Sequence, residues 1–88
     1  MLEKIKKYLR ISSIAFDEEI TDLINAAKKD LEISGITVDE ADELIIRAIS
    51  TYCKANFGFD NPDSDKLQQS YNMLKIHLSL SEEYHNVV

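Results

Sequence analysis

The chain has 88 residues, 44% of them hydrophobic and 30% charged, with two glycines and one proline. That is a globular, helix-friendly composition of single-domain size, and a chain this short buries only about 60–65% of its unfolded surface, so partner subunits would add stability. The net charge of −6 is uneven: residues 1–10 carry four cations against one acid, and residues 11–88 carry six against fifteen. An acidic body argues against general nucleic-acid binding, which needs clustered Lys and Arg. No run of 18 apolar residues is present to span a membrane. The basic start lacks the apolar stretch of a signal peptide, so synthesis and residence in the cytoplasm are expected. Cys53 is alone, so no internal disulfide can form.

In chain order, residues 2–9 place Leu2, Ile5 and Leu9 on one side of a short helix, with Lys4, Lys6 and Lys7 largely elsewhere. Eight residues cannot hold a helix alone in water, so this basic segment (1–10) must dock. Ile11–Phe16 reads as a connector anchored by Ile14 and Phe16.

Asp17 is positioned to cap the next helix, and Glu18 and Glu19 suit its positive end. Ile20, Leu23, Ile24, Ala27 and Leu31 then form one narrow stripe, as on a surface helix, and Gly35 supplies a left-handed stop.

Thr37 and Glu40 have capping-box spacing and are expected to open a helix that runs to Phe57 and stops at Gly58. On that helix Arg47, Ser50, Thr51 and Lys54 share a polar stripe. Leu44, Ile45, Ile46, Ala48, Ile49, Tyr52, Cys53, Ala55 and Phe57 fill an arc of roughly 220°, about twice the stripe of a surface helix. Such a segment must be wrapped on several sides, so it is the central helix of a small bundle. Asn56 falls within the apolar arc and is expected to bond loop backbone near the helix end, with a ligand contact as the alternative.

Asn61-Pro62 reads as a cap followed by proline at the first helical position, opening a last helix to about Leu80. Leu67, Tyr71, Leu74 and Leu78 form its inward stripe. Met73, Ile76 and Leu80 form a second apolar stripe on nearly the opposite face, to be covered either by the chain's own N-terminal helix or tail, or by a partner. Residues 81–88 have no period and read as a flexible arm. The expected fold class is all-α: three main helices plus a short N-terminal one, in one domain over 1–88.

Catalytic and metal constellations find little support. Cys53 sits inside the apolar arc, where cysteine acts as a small hydrophobe. His77 and His85 are too isolated to build a zinc site. Asn61-x-Asp63-x-Asp65 has the opening spacing of a calcium loop, but Lys66 stands where glycine is needed and Asn72 where the bidentate glutamate belongs. A helix-turn-helix through Ser34-Gly35-Ile36 would put Asp39, Glu40, Asp42 and Glu43 against phosphates. No cofactor is expected.

Taken together, MLEKIKKYLRI, EEITDLINAAKKDLEISG, VDEADELIIRAISTYCKANFGFDNPDS and SYNMLKIHLSLSEEY resemble, in order and spacing, the small head-tail connector (head-completion adaptor) proteins of long-tailed phages and prophages, also described as DNA-packaging proteins. The resemblance covers nearly the whole chain and departs at Ile14-Ala15-Phe16, where a more acidic, polar loop is expected. It implies a non-enzymatic, all-helical virion protein that is made in the host cytoplasm. Such a protein forms a homo-oligomeric ring between the portal and a tail or stopper protein, without membrane or sequence-specific nucleic-acid contacts. Met73, Ile76 and Leu80 are then the candidate subunit interface. Two other classes stay open: a helical partner-binding or regulatory module without phage context, and the DNA-binding reading. Neighbouring capsid and tail genes would separate them from the connector.

Overall fold

The computed structural model describes residues 1–58 and 61–84. Its helices are α1 (Leu2–Leu9), α2 (Asp17–Ile33), α3 (Glu43–Asn56) and α4 (Ser64–Leu80), with a short 3-10 turn at Ile14–Phe16 before α2. No strand occurs among the described residues, so the all-α expectation holds.

α3 is the hub, packing against α1, α2 and α4. Ile45, Ile49 and Cys53 are fully buried with Ile20, Leu31, Tyr71 and Leu78 in one core, and Tyr52 is half-buried at its margin. α2 buries Ile20, Ile24, Ala27 and Leu31, the stripe its spacing predicts. Its end is a Schellman motif. Ile36 N–H donates to Leu31 O (3.0 Å) and Gly35 N–H to Glu32 O (2.9 Å), while Gly35 takes φ 81° and Ile36 is buried. α1 closes in a similar way on Arg10, which adopts the left-handed region at φ 60° despite its Cβ.

Several local expectations are corrected. The central helix opens at Glu43, capped by Asp42, whose Oδ1 accepts from Leu44 N–H (2.8 Å) and Ile45 N–H (3.2 Å). The Thr37/Glu40 box does not form. Thr37 N–H is taken by Tyr84 O at 2.8 Å, and the Glu40 carboxylate pairs with Lys28 on α2. Asp17 is the first residue of α2 rather than its cap, and its carboxylate turns to the Lys6 ammonium at 2.7 Å. Lys6 is therefore buried, not displayed with Lys4 and Lys7.

α4 starts two residues later than Asn61-Pro62 suggests. Asn61 caps the turn before it, with Oδ1 accepting from Asp63 N–H (3.0 Å). Asn61 Nδ2 and Ser64 Oγ also donate to Lys54 O (2.6 Å) and Ala55 O (2.8 Å), carbonyls that the end of α3 leaves without helical partners. This is the loop contact expected of Asn56. Asn56 itself is exposed and bonds Tyr52 O within its own helix (2.9 Å).

Ser81–Tyr84, expected to belong to a free arm over 81–88, are held instead. Tyr84 packs on the core, and its hydroxyl donates to the Asp42 carboxylate (2.9 Å to Oδ2), so Ser81–Tyr84 fold back over the link between α2 and α3. Residues 85–88 of that arm lie outside the described residues.

Candidate assembly surfaces

The rotation of α4 about its axis decides what it displays. Tyr71 is fully buried, and its hydroxyl donates to Asp30 Oδ2 on α2 at 2.6 Å. Lys75 reaches the same oxygen at 3.0 Å and lies over the Tyr71 ring at 5.4 Å, while Tyr52 meets that ring edge-on at 5.1 Å. Burial alone would raise the Asp30 carboxyl. The Tyr71 and Lys75 hydrogen bonds and the Lys75 charge outweigh it and hold the group below the usual carboxylate range. Burial, then the bond to Asp30, push the Tyr71 phenol up. This polar lock sits on a half-buried seam and sets α4 in one register against α2.

With Tyr71 and Leu78 inward, the opposite face is forced outward. Met73, Ile76 and Leu80 are 72%, 58% and 81% exposed, so neither α1 nor Ser81–Tyr84 covers them. All three stand where their spacing predicts, on one side of α4.

Ile14 is also open, at 83%, and does not anchor the connector. Phe16 is less so, because its ring meets Phe57 edge-on at 5.5 Å. Ile33, 75% exposed at the end of α2, was missed by sequence reasoning. Its signal was legible: it lies about 200° round the helix from Leu31, off the buried stripe.

A second feature lies where α1 crosses α3. Lys4 and Tyr8 from α1 face Arg47, Ser50, Thr51 and Lys54 from α3 across a cleft of about 390 Å³. α3 thus turns its polar stripe to this cleft. Ser50 and Thr51 spend their hydroxyl protons on Arg47 O, at 3.0 and 2.8 Å, leaving the cations as the cleft's recognition groups.

Cys53 has no exposed surface, and burial pushes its thiol up to about 12, which favours the protonated form near neutrality. The Asn61 side chain is occupied in the turn before α4, accepting from Asp63 N–H and donating to Lys54 O. The link from α2 to α3 runs from Ser34 to Asp42, much longer than the roughly 3–4-residue turn of a helix-turn-helix.

The described residues thus form a small helical bundle with a polar lock on one seam and the large apolar side chains of Met73, Ile76 and Leu80 exposed on one helix face. The chain matches the sequence model of a family described as phage connector protein over residues 1–85, and it belongs to that family. The family is structural and non-enzymatic, and this chain is a phage structural protein of the connector type. No curated protein and no solved structure matches the chain. No helix among the described residues is long and apolar enough to cross a membrane.

Proposed function

We propose that this chain is a head-tail connector subunit. It is made in the host cytoplasm and assembles as a ring between the portal of the DNA-filled head and a tail or stopper protein. It acts by binding, without catalysis. The observation that carries the reading, beside the family, is the outward stripe Met73, Ile76 and Leu80. Three large apolar side chains on one helix face mark a contact surface. A ring needs head-to-tail contacts between unlike faces, so the stripe serves as one face of the subunit interface.

Ile76→Asp tests this. The side chain is 58% exposed, so the variant keeps the wild-type helical circular dichroism while losing higher oligomers and attachment to filled heads. Attachment at wild-type levels by a folded variant would remove the stripe from the interface.

A further inference from the structure

We infer that the cleft between α1 and α3 receives the acidic first turns of α2 from a second copy of this chain. The inference rests on the reading of the chain as a self-assembling subunit and adds a second, electrostatic contact to it.

The cleft carries Lys4, Arg47 and Lys54 against the single acid Glu43, in a chain whose net charge is −6. None of the three cations makes an ion pair among the described residues, whereas Lys6, Lys28 and Lys75 all do. Tyr8 and Ile46 give the cleft an apolar floor.

The counterpart is on α2. Glu18, Glu19, Asp22, Leu23 and Ala26 follow helical spacing and, with Ala15 from the 3-10 turn before the helix, line one shallow surface recess. Its three carboxylates are exposed and likewise make no ion pair among the described residues. Three cations over an apolar floor on one surface, without ion pairs among the described residues, thus match three anions around an apolar strip on another, likewise without them.

The two surfaces cannot meet within one chain. On α1, Lys4 and Tyr8 share the face turned to the cleft, while Lys6, about 200° round from Lys4, reaches Asp17 at the start of α2. The cleft and the acidic turn therefore lie on opposite flanks of α1. Each copy can receive one neighbour and dock on another, a head-to-tail contact that repeats from subunit to subunit.

The test is a charge-reversal exchange read by sedimentation velocity, at low salt and at about 0.5 M salt, where exposed charges are screened within a few ångströms. Wild type self-associates at low salt and does so less at high salt. The pair Arg47→Glu with Lys54→Glu, and separately the pair Glu19→Lys with Asp22→Lys, each weaken that association by about tenfold or more, as several reversed rim charges should. Mixing the two variants in equal amounts restores it, because each then offers a complementary face to the other.

If a reversed variant loses its helical circular dichroism, the neutral pairs Arg47→Gln with Lys54→Gln and Glu19→Gln with Asp22→Gln replace it, each expected to weaken association. Four results would overturn the inference: unchanged association in either variant pair, a mixture no better than its components, a monomeric wild type at low salt, or a cleft that binds a glutamate-rich peptide while self-association ignores the substitutions. Failure here alongside loss of head attachment in Ile76→Asp leaves the connector reading standing and removes only this contact.

Discussion

Lys6 carries a charge into a position with 5% exposure, and its only ion pair among the described residues is with the Asp17 carboxylate at 2.7 Å. The two partners are not equivalent. The Lys6 side chain is 6% exposed and that of Asp17 33%; the Asp17 oxygen in the pair is buried, but the carboxylate as a whole keeps more access to water than the Lys6 ammonium. Asp17→Ala should therefore destabilise more than Lys6→Met. The first should approach the lower end of the about 3–5 kcal/mol seen when a buried pair loses one member. Urea unfolding of both variants checks this, and a larger loss for Lys6→Met would contradict it. A second residue-scale expectation concerns Cys53, whose thiol rises from 9.0 to about 12 on burial. A group raised on folding contributes stability that is fully present below its unfolded value and lost as pH climbs to its folded one. Wild-type stability should thus fall between pH 9 and about 12, with Tyr71 adding to the fall from the same sign of shift. Cys53→Ala should flatten that alkaline limb, and equal slopes for both proteins would contradict the burial account. Asp30 and Asp42 have the opposite sign. Their carboxyls are held low, so their contribution is present above the ordinary 3.8 and lost as the solution is acidified below it.

Helices behave as their periodicity demands wherever one strong pattern stands alone. Ile49, fully buried at the middle of α3, faces neighbours on several sides, and Ile49→Ala should cost about 2–5 kcal/mol by denaturant unfolding. A loss under about half a kcal/mol would mean that the core lies elsewhere. The stripes of α2 and α4 and the stop at Gly35 were readable for the same reason: spacing of 3.6 and a left-handed residue are local facts. The start of α3 was not. Thr37 and Asp42 both have capping chemistry, and the choice between them is made by Lys28 from α2 and Tyr84 from the far end of the chain. Tyr84 meets Asp42 across 42 residues of sequence, a pairing no local pattern encodes. Lys6 misled in the same way, since only docking brings Asp17 beside it. The exposed stripe of α4 could be placed from sequence, because its face is opposite Tyr71 and Leu78. The α1–α3 cleft could not, because it needs the crossing of two helices that are far apart in the chain.

On the scale of the whole molecule, the interior is closed and the resources for recognition are outside. Polar groups within the bundle are spent on fixing helix register, as at Asp30, Tyr71 and Lys75, and Cys53 is fully buried in the hydrophobic core. What is left over is the α4 stripe, a cationic cleft and an acidic helix start, distributed over different faces. A subunit that must contact two neighbours through unlike surfaces requires that distribution, and the connector family gives it a setting. The most direct measurement is cryo-electron microscopy of the portal vertex in particles whose genome encodes this chain. The account predicts a ring of these four-helix subunits seated between portal and tail, with α4 at each subunit boundary. Particles complete at that vertex without the chain would contradict it, as would a chain bound there with α4 turned wholly to solvent.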